Sequence, residues 1–386
     1  MRSRHWFQHG FSHCRNQTQK LRYNTHYGFC YKKALILGGL LRGLVIIALL
    51  IALIGGCFLV FPAAKELWQQ TQGTHTADEA LKAGDWTTAR TQLEALTNQY
   101  PKDVTLGLKL ATALQAEAEQ LGKTQTPEAQ SESAALQQKA AQRLLVLWQQ
   151  FPNNITVGLA YGAFLAHDRI HHPNAVAVYR SLLQQKGTDP EWGPKILLAT
   201  GQLFSQAAQF QPHSDLKHWL NQWASYYLQA AIAQQPHLFD ARFQLALLHQ
   251  QQANPAFTGA AVDASSIEYH STQAARQYCN AALIKPHDIE TRYNLGLSLV
   301  ALNAIDEGFA QMKTAVDTLV ATNQITRAQQ VSEAMQLVKN GVFYQPDQPH
   351  TKAANKDSLL GQCLADPRLT QAANAQKEPV TASQSL

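Results

Sequence analysis

The chain has 386 residues, 45% of them hydrophobic and 15% charged, with a formal net charge of +5. That apolar fraction is ample for a packed core of one large or two medium domains, which excludes a wholly disordered or collagen-like chain. Five scattered cysteines with no CxxC pair exclude a disulfide framework, a zinc ribbon and a thioredoxin-type redox motif. The charge is uneven: residues 1–33 hold seven Lys/Arg and no Asp or Glu, and Arg42 adds one more. The remaining 24 Lys/Arg face 27 Asp/Glu, so a basic head precedes a mildly acidic body and the bulk charge does not point to nucleic acid.

After the basic head, residues 34–61 are almost wholly apolar, and Gly43–Phe61 runs without a charge. As a helix this uncharged run is roughly 28 Å long, close to the hydrocarbon thickness of a bilayer. A single transmembrane helix over 34–61 is expected, with residues 1–33 in the cytoplasm, since the positive residues precede the span. Ile54-Gly55-Gly56-Cys57 also fits a lipoprotein signal-peptidase box with Cys57 lipidated, but the run stays apolar beyond the cysteine. A mitochondrial presequence is a further reading of the acid-free head, although serines are few. The uncleaved anchor is preferred.

The body carries a repeated frame. Ala89, Leu93, Leu96 and Pro101 stand at offsets 0, +4, +7 and +12, and so do Ala140, Leu144, Leu147 and Pro152. Ala224, Leu228, Ala231 and Pro236 repeat the frame, as do Ala274, Tyr278, Ala281 and Pro286. Ala175, Tyr179 and Leu182 keep the first three offsets, with Gly187 in place of the proline. Offsets of four and seven share one helical stripe, and proline five residues later ends the helix. A second apolar-periodic stretch follows each turn: Val104–Leu121, Ile155–His167, Pro194–Phe204, Phe239–His249 and Ile289–Val300. Paired antiparallel helices repeated in this way make a solenoid.

On these residues the chain resembles the tetratricopeptide repeat (TPR) family, in its membrane-anchored envelope form. Gly84-Asp85-Trp86-Thr-Thr-Ala89 is similar to that family's turn and second-helix start. Asn294-Leu295-Gly296, followed by Ala304-Ile305-Asp306-Glu307 and Ala315, is similar to another repeat, with Gly308 where alanine is usual and no closing proline. The anchor alanines lie 51, 35, 49 and 50 residues apart rather than at the family's standard spacing, the surplus falling in polar segments such as 122–133 and 252–266. The expected fold is all-α: a TPR-like α-solenoid of about six helix pairs over 62–340, preceded by the transmembrane helix. Thr326–Asn340 would cap it, and 341–386 would be a disordered tail or a short linear motif. The aromatic stretch His218–Tyr227 is expected to fill the core between repeats.

Chemistry is sparse. Phosphate-loop, GxSxG and HExxH patterns all fail. His167 and His171 lie one turn apart, but solvated histidines at a helix end are preferred over a metal site. Asp306-Glu307 open a helix and suit its positive end. Asn154-Ile155-Thr156 fits a glycosylation acceptor weakly, and a Cys279–Cys363 bridge is possible in an oxidising compartment. The resemblance implies a concave groove built from the first helix of each pair, here Leu108, Thr112, Leu159, Ala163, Phe243, Leu247, Tyr293, Asn294 and Leu297. That apolar set favours an amphipathic helix or an intramolecular tail; alternatively, Phe243 and Tyr293 merely pack between repeats. Only Asn294 matches the family's carboxylate clamp, so a chaperone C-terminus is not expected. By analogy the function is that of a non-enzymatic inner-membrane scaffold, without cofactor, metal or nucleic acid, whose periplasmic solenoid binds envelope proteins. The alternatives are an accessory subunit of an envelope enzyme or cytochrome-maturation complex, and a client-holding chaperone.

Overall fold

The computed structural model describes residues 71–254, 263–342, 359–367 and 369. The predicted head and membrane span lie outside these residues, and no helix among them is long and apolar enough to cross a membrane. The chain divides into two compact units, 1–79 and 80–386. In the first, the described residues 71–79 are helical, and this helix, α1, runs over 71–83. The second unit continues with α2 (Trp86–Gln99), α3 (Val104–Gly122), α4 (Pro127–Gln150), α5 (Ile155–Ala166), α6 (His172–Lys186) and α7 (Gly193–Gln209). It goes on through α8 (Ser214–Gln234), α9 (Phe239–Ala253), α10 (Ala264–Ile284), α11 (Ile289–Ala301), α12 (Ile305–Ala321) and α13 (Ile325–Leu337). A π-helical turn, Val338–Val342, follows α13, and a short helix α14 (Leu359–Leu364) comes last. No strand occurs among the described residues.

Every residue at offsets 0, +4 and +7 of the five sets is buried, each at 6% exposure or less. Gly308, Met312 and Ala315 make a sixth buried set. The helices carrying these sets, α2, α4, α6, α8, α10 and α12, alternate with α3, α5, α7, α9 and α11. The closest packing falls within α3/α4, α7/α8, α9/α10 and α11/α12, and each helix from α2 to α12 also packs on the next in sequence, so the unit is a TPR-like solenoid of helix pairs. The small residues permit the approach. A Cβ on Gly162 would lie 2.3 Å from Cε1 of Tyr179, and one on Gly296 would lie 2.7 Å from the Gly308 carbonyl oxygen.

The proline turns share one hydrogen-bond pattern. Before each proline the last N–H closes on the +7 residue: Tyr100 on Leu96, Phe151 on Leu147, Gln235 on Ala231 and Lys285 on Ala281, at 2.8–2.9 Å. Two residues after the proline, at offset +14, the side chains of Asp103, Asn154 and Asp288 cap the next helix by accepting from Leu106, Val157 and Thr291. Arg242 and Arg292, each six residues past a proline, donate from Nε to the Pro236 and Pro286 carbonyls. Where proline is absent after α12, Asn323 takes the left-handed conformation (φ 58°) and the Gln324 N–H bonds back to Leu319. Gly84 (φ 75°) ends α1 by the same device.

Two expectations need correction. The aromatic stretch of α8 does not fill the core: Trp219, Trp223 and Tyr226 are exposed. The buried stripe of α8 is Leu220, Ala224, Leu228 and Ala231, and the aromatics sit one residue away on it, about 100° around the helix. The second concerns the tail, part of which is ordered. Helix α14 packs against α10, and Cys363 forms a disulfide with Cys279, 84 residues away in sequence. Leu360, Cys363 and Leu369 are buried in one cluster with Ala275, Tyr278, Leu295 and Leu299. Arg292, itself buried, donates to the Leu369 carbonyl at 3.2 Å and to Gln311 Oε1. The capping helix α13 begins and ends within a few residues of its predicted bounds, and its Ala328 is buried.

Candidate functional site

The first helices of the pairs touch in succession, α3 to α5, α5 to α7 and α7 to α9, which makes one uninterrupted face. At its centre is a recess of about 410 Å³ shared by α5, α6, α7 and α9. Ala163, Ala199 and Leu247 supply its apolar surface, and Gln202, Gln206, Gln209 and Gln244 bring four carboxamides to it. No Asp, Glu, Lys or Arg lines it. Its floor includes Tyr179, where burial pushes the phenol pKa up and keeps the ring neutral. Each carboxamide both donates and accepts, so the recess complements the main-chain N–H and C=O groups of an extended or helical-end peptide rather than an ionic group.

The nine residues predicted to face the groove divide into three groups. Ala163 and Leu247 line this recess. Leu108 and Leu159 are half-buried on α3 and α5, while Thr112 is exposed and returns its hydroxyl to the Leu108 carbonyl. The rest are at the C-terminal end. Phe243 stacks on Phe239 and meets Tyr278 edge-on, against the cluster that holds α14. Tyr293 and Leu297 pack against Val300, Ile305, Met312 and Val338. These three side chains are thus engaged within the fold, whereas Asn294 is half-buried on α11. A second, apolar recess of about 330 Å³ opens beside Leu297, between α9, α10 and α11.

The middle of the face is therefore richer in amides than the predicted apolar set. The contributions of Gln202, Gln206 and Gln209 went unrecognised because α7 had no residue in that set. Its polar stripe at 202, 206 and 209 was the available signal.

The histidine stretch after α5 is held by local bonds. Nδ1 of His171 lies 3.0 Å from Asp168 Oδ2, and Nε2 of the buried His172 lies 2.9 Å from the Ala166 carbonyl. The Ile170 N–H, and then His171, hold the Asp168 carboxyl below its usual range. His167 lines the glutamine recess as well as a neighbouring one of about 710 Å³. No group of three or more metal-type ligands occurs among the described residues.

No protein-family model and no curated protein matches the chain. Solved structures that it is similar to include one of MamA, at 14% identity and TM-score 0.28 over 67% of this chain and 95% of that one. A second structure of MamA gives 17% and 0.34 over 52% and 98%. A tetratricopeptide repeat protein from Parabacteroides merdae ATCC 43184 gives 13% and 0.40 over 78% and 100%.

Proposed function

We propose that the protein is a non-catalytic scaffold, anchored by the apolar run 34–61, whose solenoid holds a protein partner on the face formed by α3, α5, α7 and α9. The observation that carries this reading is the four-glutamine recess, lined by no Asp, Glu, Lys or Arg, at the middle of that face. Amides at the centre of a rigid helical array recognise main chain with little regard to the partner's charge, and apolar neighbours add contact area. Anchoring confines the scaffold to the membrane plane and raises the effective concentration of whatever it binds. The positive head favours a cytoplasmic N-terminus and a solenoid on the opposite side, the periplasm of a bacterial envelope. The Cys279–Cys363 disulfide suits that oxidising side.

The test is a photo-crosslinking amino acid at Gln209, which is exposed at the recess, with irradiation in the native membrane. One dominant adduct, lost when Gln206→Arg and Gln244→Arg are added to a protein of unchanged circular dichroism, is the expected result. No adduct, or the same adducts in both proteins, overturns the assignment of the face. A broad spread of unrelated adducts identifies a client-holding chaperone instead.

A further inference from the structure

Two of the six residues at offset +4 of the repeated frame are tyrosines, Tyr179 on α6 and Tyr278 on α10, where the others are Leu or Met. Both are buried, at 2% and 0% exposure. Their hydroxyls fare differently. That of Tyr278 donates to Gln250 Oε1 at 2.9 Å, so the α9/α10 pair closes it internally. That of Tyr179 has no hydrogen-bond partner among the described residues, and burial alone acts on its ionisation. The reason is local. Gln250 stands fourteen residues past Pro236 on α9, and the residue fourteen past Pro152, at the same place on α5, is Ala166. Alanine brings no side-chain acceptor, and Ala166 lines the glutamine recess instead. Nor is the Tyr179 hydroxyl sealed in: among the described residues, the polar side-chain atoms both sealed and unbonded belong to Arg143. It therefore opens at the floor of the recess, where the missing Cβ of Gly162 lets the ring lie against α5. As a phenol it donates more readily than it accepts, so a guest in the recess must bring an acceptor. The lining offers no Asp, Glu, Lys or Arg to pair with a charged side chain, so that acceptor is a neutral carbonyl oxygen. The last turn of a helix leaves four carbonyls without partners. Facing them are five donor groups, the Tyr179 hydroxyl and the carboxamides of Gln202, Gln206, Gln209 and Gln244. Size agrees: one turn of a helix about 10 Å across fills about 420 Å³, and the recess is about 410 Å³.

We infer that the recess receives the C-terminal turn of a partner helix end-on, with the Tyr179 hydroxyl donating to one of its free carbonyls. This rests on the α3–α9 face being the partner face, and it names what that face takes. Tyr179 selects which end enters: a helix N-terminus presents N–H groups, to which a phenol cannot donate. The four carboxamides, able to donate or accept, then adapt to the end that the floor has chosen.

The experiment uses the full-length chain in its native membrane with the photo-crosslinking amino acid at Gln209, over a range of expression levels so that unsaturated binding is compared. Tyr179→Phe keeps the ring on Gly162 and removes only the hydroxyl, whereas Tyr278→Phe removes a hydroxyl that is closed within the fold. Tyr179→Phe should lower the adduct yield about three- to tenfold, the worth of one hydrogen bond, with the urea midpoint unchanged. Tyr278→Phe should lower the midpoint and leave the yield. The crosslinked partner residues, read by mass spectrometry, should lie in the last turn of a helix. Equal yields from the native protein and Tyr179→Phe overturn the inference and leave the partner face standing, as does a crosslink to the middle of a helix or to an extended segment. A loss of yield shared by both variants assigns the effect to folding and overturns it as well. No adduct in the native protein overturns the partner face and the inference together.

Discussion

Replacing both bridge cysteines, Cys279→Ala with Cys363→Ala, probes how the tail is held. The disulfide closes a loop of 84 residues that contains α11, α12 and α13. Chain-entropy arithmetic for such a loop gives about 15 cal/mol/K, or about 4.5 kcal/mol at 25 °C, and measured losses on removing native bridges begin near 2 kcal/mol. The non-covalent contact of the tail is thin: Leu360 and Leu369 are its buried leucines, and the Arg292–Leu369 bond is a single charge-assisted contact. Repeats couple mainly to their neighbours, so the loss should fall on the C-terminal pairs and spare α3–α6. Hydrogen exchange read by mass spectrometry should show 359–369 losing its protection. Exchange in α10 and α11 should quicken by roughly 30- to 2,000-fold, which is 2–4.5 kcal/mol converted at about 1.4 kcal/mol per decade. Thiol titration of the unfolded native protein should find three of the five cysteines reactive if no further bridge is present. Five reactive thiols would show that the bridge does not form. Equal protection in the two proteins would refute the argument that the covalent link holds the tail.

Three further outcomes follow from the packing. Gly162→Ala places a methyl group 2.3 Å from the buried Tyr179 ring, so urea denaturation should show a loss of about 1–3 kcal/mol, and an unchanged midpoint would mean the ring yields freely. Glu117 is buried, accepting from Arg90 Nε at 2.6 Å and Thr87 Oγ1 at 2.9 Å, so Arg90→Ala should cost about 2–3 kcal/mol by stranding the carboxylate. Adding Glu117→Leu should recover most of that loss, and failure to recover would locate Arg90's contribution elsewhere. His249 lies buried with its Nδ1 3.1 Å from His270 Nδ1, and burial, then the second imidazole, lowers its pKa to about 4. The unfolded chain, titrating near 6.5, therefore takes the proton first. The stabilisation is intact above pH 6.5 and is lost as pH falls through 4, by at most about 3 kcal/mol. The fall in urea midpoint between pH 7.5 and 4.5 should shrink in His249→Leu, and an equal fall in both proteins would assign the acid sensitivity to other groups.

The frame was legible because each of its residues answers a requirement local to one helix and its immediate partner. A small side chain must let the next helix approach, two larger ones fill the same stripe, and proline stops the chain five residues on. The same turn explains the caps at Asp103, Asn154 and Asp288, which the offset of +14 would have revealed had the turn been read as a capping signal. The tail was not legible for the opposite reason. Six residues, Leu359–Leu364, are too few to show a helical period, and their apolar partners are on α10 and α11, with Cys279 84 residues distant. The misplacement of the α8 aromatics has a different origin. Hydropathy marks Trp219, Trp223 and Tyr226 as apolar but carries no information about which of two adjacent stripes faces the solenoid. That choice belongs to α7 and α9, whose Phe204, Leu245 and Leu248 lie with the Ala224/Leu228 side. Periodicity thus predicts a buried stripe wherever a frame repeats. A second stripe, one residue out of register with that frame, is then a surface feature of α8 that solenoid packing leaves unused, and its aromatic composition calls for an explanation outside the solenoid itself.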